Sequence, residues 1–221
     1  LDDNGLLDLI VGTDDERSDQ ILFNNGGLEF TSLMLPDSEG FTGTATLADF
    51  DGDGRLDLFV ARRQTGGLTN EEIIDEPPDG SASSLYLQLS AGELTDASDR
   101  LPDAIHRAYT QEAAVLDVDG DGDLDLYLTN DFGAYVTPNQ LLLNDGSSNF
   151  SLAEDCFCDL ATFSMAAAVG DLNSDGLPDL WITDIGRPDL LLNAGDGSFY
   201  DGTAALLSLI HISEPTRQLQ I

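Results

Sequence analysis

The chain has 221 residues and a formal net charge of −34, because 42 Asp and Glu face only 8 Lys and Arg. Hydrophobic residues make up 41% of the sequence, which is typical of a globular protein and not of a disordered acidic tail. Nucleic-acid phosphates and anionic lipid surfaces repel a chain of this charge, and the sequence contains no run of 18 apolar residues. We therefore expect no nucleic-acid partner and no membrane insertion.

The acidity comes mainly from aspartate, since the sequence has 32 Asp, 10 Glu, 8 Arg and no Lys. Aspartate is a poor helix former and a good ligand for hard cations. The composition therefore predicts little helix and several cation-binding loops.

Nine-residue acidic segments recur along the chain. Three are complete: DFDGDGRLD from Asp49 to Asp57, DVDGDGDLD from Asp117 to Asp125, and DLNSDGLPD from Asp171 to Asp179. A fourth, truncated copy spans Leu1 to Asp8. The closing aspartates of successive segments are separated by 49, 68 and 54 residues. A near-constant period with one long insertion indicates a repeated blade or solenoid unit.

The acidic segments have similar surroundings in chain order. A run of small apolar residues precedes each complete segment, as at 166–169, and a strand-like run follows all four: LDLIVG, LDLFVA, LDLYLT and PDLWIT. After a variable loop comes a second apolar run (QILFNN, SLYLQL, QLLLND, DLLLNA), and a glycine turn then leads to a weaker strand. The pattern predicts 15 strands, three in the first unit and four in each later unit, with the small-residue runs nearest the axis.

Four-stranded units at this period predict an all-β fold, namely a partial β-propeller of four-stranded antiparallel blades joined by cation-binding hairpin loops. We place one propeller domain at residues 1–206. Its repeats are predicted at 1–44, 45–110, 111–163 and 164–206.

The acidic segments have the spacing that wraps a chain around one hard cation. Carboxylates at positions 1, 3, 5 and 9, with glycine at position 6 for the sharp turn, supply the oxygen ligands that Ca²⁺ prefers. Position 7 supplies only its backbone carbonyl, from Leu6, Arg55, Asp123 and Leu177. We therefore predict Ca²⁺ in three complete loops and in one truncated loop. The predicted side-chain ligands are Asp49, Asp51, Asp53 and Asp57; Asp117, Asp119, Asp121 and Asp125; Asp171, Asn173, Asp175 and Asp179; and Asp2, Asn4 and Asp8.

Other interpretations of these loops fit less well. An EF-hand needs Glu at position 12, where this chain has Val60, Leu128 and Ile182, and it needs flanking helices instead of strands. Zn²⁺ prefers His or Cys, and Mg²⁺ prefers to keep its waters. Acidic turns without an ion leave the repulsion among their carboxylates uncompensated. Because the loop itself supplies the ligands, we expect the ion to have a structural and not a catalytic role.

Several other features leave alternatives open. Cys156 and Cys158 form a local disulfide, pair with a part of the protein outside this chain, or remain free thiols. His106 lines a binding surface or is a plain loop histidine. The two aromatic residues of 131–135 contact a sugar or a protein side chain from an exposed loop, or belong to a tolerated insertion. The acidic loop 62–84 is expected to be mobile.

The last residues differ in composition from the rest of the chain. The sequence LSLIHISEPTR, which begins at Leu207, resembles the translation of a transposase-type sequencing adapter. We therefore treat 207–221 as a non-native tail that does not pack on the propeller. The alternative is a genuine C-terminal tail.

The repeats resemble a known family. Residues 164–176 (SMAAAVGDLNSDG), 179–183 (DLWIT) and 193–199 (NAGDGSF) are similar to the FG-GAP/VCBS repeats of integrin-alpha-type propellers. The likeness covers nearly all of residues 1–206 and extends to bacterial secreted forms found with ASPIC/UnbV-type domains. Propellers of this family close with about seven blades. The resemblance therefore implies a fragment, with missing blades of the same chain as partners.

This resemblance implies a calcium-binding β-propeller of a secreted or cell-surface protein. Its implied role is non-catalytic, in cell adhesion or in binding an extracellular protein or glycan ligand. The alternative is a fragment of a calcium-propeller polysaccharide lyase or hydrolase. That activity needs a pocket in which His106, Arg100 or Arg107 lies beside carboxylates that hold no metal.

Overall fold

The computed structural model of the protein describes residues 1–63, 82–106 and 108–204, without the side chains of residues 15, 16 and 39. Regular structure within these ranges consists of 14 β-strands and two single-turn 3-10 helices. The predicted all-β fold class is thereby confirmed. No helix of the described residues is long and apolar enough to cross a membrane. Most of the predicted mobile loop and the whole predicted tail lie outside the described residues, so those predictions stay untested.

Among the described residues, strands pair only with strands adjacent to them in sequence, all antiparallel, and they group into four sheets, the first two of which share one strand. The first sheet holds β1 (Leu9–Val11), β2 (Asp14–Gly26) and the first part of β3 (Glu29–Ala48). The second holds the rest of β3, β4 (Asp57–Arg62), β5 (Ser84–Ser90) and β6 (Glu93–Asp96). The third holds β7 (Thr110–Leu116), β8 (Asp125–Asn130), β9 (Gln140–Asn144) and β10 (Phe150–Leu152). The fourth holds β11 (Ser164–Gly170), β12 (Asp179–Asp184), β13 (Asp189–Asn193) and β14 (Phe199–Asp201). The 3-10 helices are Ser98–Arg100 and Asp103–Ile105.

Strand β3 serves two sheets. Its pairing with β2 ends at Phe41, and its pairing with β4 begins at Thr42. The 15 predicted strand positions are therefore filled by 14 strands. The sequence pattern separated the two halves of β3 because only their apolar runs were recognisable.

Hydrophobic cores lie between the sheets. On β4, Leu58 and Val60 join the core with the first sheet, whereas Phe59 and Ala61 join the core with the third sheet. This alternation follows from the two-residue period of a strand. All six residues of β4 are buried because both of its faces are covered.

Strands β8 and β12 extend the same arrangement. Leu126 and Leu128 of β8 pack toward the second sheet, and Tyr127 packs with the fourth sheet. On β12, Ile182 is buried toward the third sheet, but Thr183 on the other face is exposed. Consecutive sheets are thus joined face to face through apolar layers, as propeller blades are.

The first strand of each complete unit lies closest to its equivalents, because β3, β7 and β11 contact one another in order. A Cβ atom at Gly43 on β3 would clash with the carbonyl oxygen of Thr110, so glycine permits the close approach to β7. The hydroxyl of Thr46 donates to the carbonyl of Ala113 (3.0 Å) across the same junction. Small residues are therefore needed where the sheets converge.

Candidate metal centres

The acidic segments form the turns between the first and second strands of each unit, at one end of the sheets. They join β3 to β4, β7 to β8 and β11 to β12. Glycine at position 6 has a positive φ in every copy, a conformation that suits glycine best. These residues are Gly5 (80°), Gly54 (87°), Gly122 (96°) and Gly176 (89°).

Each turn is organised by the same hydrogen bonds between side chains and backbone amides. The carboxylate at position 1 accepts a hydrogen bond from the amide of glycine 6, at 2.8 Å for Asp49 and 3.2 Å for Asp117. The side chain at position 5 accepts one from the amide of position 7, including Asn4 of the truncated copy (2.8 Å). The four segments thus share one register, as the sequence spacing predicted.

The aspartate at position 9 is the most buried acidic residue of each complete loop. Asp57 and Asp179 are 0% exposed, and Asp125 is 1% exposed. Its Oδ2 atom accepts the amide of position 2 at 2.8–2.9 Å, and its Oδ1 atom accepts an amide at the end of the third strand at 2.9 Å. One carboxylate therefore joins the loop, the second strand and the third strand of its sheet.

Two of the predicted ligand sets converge on a common point. Carboxylate oxygens of Asp49, Asp51 and Asp57 all lie within 4.8 Å of one another. Those of Asp117, Asp119 and Asp125 do the same. Oxygen ligands that each lie about 2.3–2.6 Å from one Ca²⁺ are separated by at most twice that distance, so both groups fit a single calcium ion. Both groups consist of aspartates, and no His or Cys among the described residues belongs to them, so they do not have the ligands that zinc prefers.

Position 5 is not part of these groups. Asp53 instead forms an ion pair with the side chain of Arg55, and Asp121 accepts the amide of Asp123 (2.9 Å). The predicted roles of Asp53 and Asp121 as side-chain ligands therefore need these side chains to turn toward the ion. Among the described residues, the remaining predicted sets form no converging group of three acids. They are Asp2, Asn4 and Asp8, and Asp171, Asn173, Asp175 and Asp179.

Burial and crowding oppose ionisation of the inner carboxylates. Burial raises the pKa of Asp57, and the charges of Asp51 and Asp53 add to this rise. Burial, with the charges of Asp119 and Asp121, raises the pKa of Asp125 to about 6 although two backbone amides lower it. A bound divalent cation would remove this repulsion.

The loops also connect consecutive sheets, a feature that the sequence interpretation missed. The side-chain amide of Asn144 at the end of β9 donates to the carbonyl of Phe50, which is position 2 of the preceding loop (2.8 Å). Asn193 donates likewise to Val118 (3.0 Å), and Gln88 donates to Leu1 (2.7 Å). We call these three contacts the inter-sheet amide bridges. A recurring Asn at the end of the second apolar run was the available signal.

The structure decides between some of the alternatives left open for the two cysteines and for the aromatic residues of 131–135. Cys156 and Cys158 form a disulfide with each other and are buried in the core between the third and fourth sheets. Phe132 is only 7% exposed, so the expectation of two exposed aromatics in 131–135 is wrong for Phe132. It packs edge to face between Tyr109 and Phe163, whereas Tyr135 is 47% exposed.

His106 does not lie in a built site. Its Nδ1 atom is 4.0 Å from Asp103, and both side chains are exposed to solvent. Arg107 lies outside the described residues, and Arg100 donates to the carbonyl of Ser147 on the surface (2.7 Å).

The sequence model of the FG-GAP-like repeat matches residues 1–60 and 117–182, which is more than half of the chain. The chain belongs to the FG-GAP-like repeat family. Both matches contain acidic loops of the register described above. No curated protein matches the chain in sequence. The narrower likeness to forms found with ASPIC/UnbV-type domains stays a prediction.

A solved structure supports the fold of this FG-GAP-like repeat protein. It is a β-propeller lectin from Agrocybe aegerita, described as recognising non-reducing terminal N-acetylglucosamine. The two chains are 19% identical and superpose with a TM-score of 0.50. The alignment covers 88% of this chain and 51% of the lectin chain, so the chain spans about half the length of that lectin. At this identity the likeness concerns the fold alone.

The inter-sheet amide bridges predict a stability effect. Replacing Asn144 by Ala leaves the buried carbonyl of Phe50 without its side-chain donor, so we expect the free energy of unfolding to fall by about 1–3 kcal/mol. Asn149→Ala is the matched control, because Asn149 is exposed and its side chain bonds only within its own turn, to Asp145. Urea unfolding of both variants measures the difference. Equal losses would show that the bridge contributes nothing specific.

The pKa of Asp125 predicts how pH acts on its loop. Because a proton on this carboxylate competes with a cation, the calcium affinity of the loop should fall by up to about tenfold per pH unit below pH 6. In calcium-free protein a lower pH has the opposite effect, because it stabilises the folded state. The raised pKa stabilises the folded state below about pH 4, and this contribution is lost as the pH rises through about 6.

Calorimetric calcium titrations between pH 5 and pH 7.5, together with thermal unfolding in chelator over the same range, measure both effects. Calcium affinity that stays constant across this range would contradict the assignment of Asp125 as a ligand.

Proposed function

We propose that the chain is part of a calcium-stabilised, non-catalytic β-propeller that binds an extracellular ligand. The observation that carries the calcium assignment is the convergence of carboxylate oxygens within 4.8 Å in two loops of identical register. Membership of the FG-GAP-like repeat family supports the same assignment for the other two loops, which keep the register but have Asn at position 5 or 3.

The proposed role of calcium is to hold each unit together. In every complete loop the buried position-9 aspartate already accepts two amides, and a cation on its remaining lone pairs would tie it to the side-chain oxygens of positions 1 and 3, which are both carboxylates in the two converging groups. Without a cation, three carboxylates of one sign share a small volume, and the folded state loses stability through their repulsion. Calcium thus stabilises the fold and performs no chemistry.

An extracellular or cell-surface location is proposed on two grounds. Calcium sites of extracellular modules are weak and match millimolar calcium, whereas the cytosol holds far less. The Cys156–Cys158 disulfide belongs to an oxidising compartment, because cytosolic thiols are kept reduced. Adhesion or ligand binding at the surface of a cell agrees with both.

Ligand binding is favoured over catalysis. The propeller of the Agrocybe aegerita lectin is described as binding a terminal sugar, and this chain has the same type of fold. A lyase or hydrolase needs a convergent acid and base, but His106 faces only the exposed Asp103 among the described residues. We therefore propose a protein or glycan ligand for the complete propeller, and we do not favour the polysaccharide lyase or hydrolase.

Thermal unfolding tests the calcium assignment. Saturating Ca²⁺ should raise the unfolding midpoint well above its value in chelator, and Mg²⁺ should be less effective because it accepts an all-protein cage poorly. The paired variants Asp119→Asn and Asp145→Asn distinguish the loss of a ligand at the metal site from the loss of one surface charge. Asp119 belongs to the converging group, whereas Asp145 lies in the exposed turn after β9. Both variants remove one charge, and only Asp119→Asn should weaken calcium binding, by roughly tenfold or more.

Equal midpoints in calcium and chelator, or equal effects of Ca²⁺ and Mg²⁺, would rule out the calcium role. Equal losses of affinity in Asp119→Asn and Asp145→Asn would show that only the overall charge attracts the cation.

A further inference from the structure

The first and the fourth sheet each leave one face uncovered among the described residues. Leu9 of β1, which follows position 9 of its loop, is 49% exposed. The equivalent residues of the later units are all 0% exposed, namely Leu58, Leu126 and Leu180. On the fourth sheet, Leu172 at position 2 of its loop is 52% exposed, whereas Phe50 and Val118 at the same position are each 1% exposed. We call the face with Leu9 the head face and the face with Leu172 the tail face.

Position 2 of a loop contacts the last strand of the next sheet wherever two sheets meet. Phe50 packs edge to face on Phe150 (5.6 Å between ring centroids), and Val118 shares a buried core with Phe199. Phe30 is the equivalent residue of the first sheet, because it pairs with an asparagine of the preceding strand, as Phe150 and Phe199 do. Phe30 is nevertheless 40% exposed, against 6% and 4% for the other two. The head face and the tail face therefore each expose one half of this contact.

The inter-sheet amide bridge is also divided between the two faces. Nδ2 of Asn144 donates to the position-2 carbonyl of the preceding loop (2.8 Å) and to the carbonyl of Leu124 in its own loop (3.2 Å). On the head face, Nδ2 of the equivalent Asn24 donates, among the described residues, only to the carbonyl of Leu7 in its own loop (3.1 Å). On the tail face, the position-2 carbonyl of Leu172 accepts no bridge from a described residue. Asn24 is half-buried and Leu172 is exposed, so both are accessible to a partner.

Each face has the groups that the other lacks. We propose that the tail face of one copy of this chain packs on the head face of a second copy, with Leu172 on Phe30 and with Asn24 donating to the carbonyl of Leu172. This contact continues the junctions that join the four sheets within the chain, and it uses the same positions of the repeat. It is a head-to-tail contact, which closes into a ring when the rotation between copies permits. The chain aligns with about half of the lectin propeller, so two copies have about the length of one such propeller.

The net charge of the chain opposes this association and makes its salt dependence informative. Two copies that each carry −34 repel one another at low ionic strength, whereas salt screens exposed charges beyond about 8 Å at 0.15 M. Burial of apolar side chains is not weakened by salt. The association should therefore strengthen as the salt concentration rises. It goes beyond the proposed function, because it depends neither on the identity of a ligand nor on the role of calcium.

Analytical ultracentrifugation of variants that block one face tests the proposal. Leu172→Arg blocks the tail face and Leu9→Arg blocks the head face, and both leucines are exposed, so the variants should keep the unfolding midpoint of the parent chain. The parent chain should sediment as a dimer, and each variant alone should be a monomer. An equimolar mixture of the two variants should form a dimer again, because each retains the face that the other has lost. Leu89→Arg is the control, since Leu89 is 57% exposed on β5 of the covered second sheet, and it should associate as the parent does.

A second pair of variants tests the amide bridge between copies. Asn24→Ala removes the proposed donor and should raise the dissociation constant of the dimer about three- to tenfold. Asn25→Ala is its control, because the neighbouring Asn25 is exposed and its side chain donates only to Thr31 of its own sheet. It should leave the dissociation constant unchanged.

Three results would overturn the proposal. A parent chain that stays monomeric at every protein and salt concentration would show that a second copy does not cover these faces, and would leave further repeats of the same polypeptide as their partner. Self-association of either blocked variant alone would show that copies meet head to head, tail to tail or through another surface. An equimolar mixture of the folded variants that remains monomeric would show that the two faces do not bind each other.

Discussion

The fold depends on compensating the charge of the carboxylates that are buried at position 9 of the acidic loops. Asp57, Asp125 and Asp179 have almost no contact with solvent, yet each is neighboured by further acids of its own loop. Backbone amides satisfy both oxygens of each carboxylate, but hydrogen bonds from neutral donors cannot cancel the repulsion between whole charges. A divalent cation at each loop is the compensation that this arrangement calls for.

The acidic loops also make contacts that join consecutive sheets. Position 2 of a loop places its side chain in the next hydrophobic core, as Phe50 does against Phe150 (5.6 Å between centroids). Its carbonyl accepts the inter-sheet amide bridge from Asn144 of the following unit. Ordering one loop therefore orders the contact with the next sheet, and in this account metal binding, strand pairing and sheet stacking reinforce one another.

Much of this architecture was predictable because it is repeated. The acidic segments fixed the register of every loop, and the alternating apolar runs located the strands. The sequence did not reveal that β3 continues through two sheets, since only the apolar runs of its two halves were recognisable. The sequence interpretation placed the ring of Phe132 in solvent, because Phe132 contacts Phe163 of a neighbouring sheet and no local pattern shows that contact.

The central claim is that one calcium ion lies between the carboxylates of each converging group. A crystal of the chain grown in CaCl₂, with anomalous diffraction recorded at long wavelength, measures this most directly. The account predicts an anomalous peak about 2.3–2.6 Å from carboxylate oxygens of Asp117, Asp119 and Asp125, and an equivalent peak at Asp49, Asp51 and Asp57. Ordered loops without such peaks, with water or a monovalent ion between the carboxylates, would contradict it.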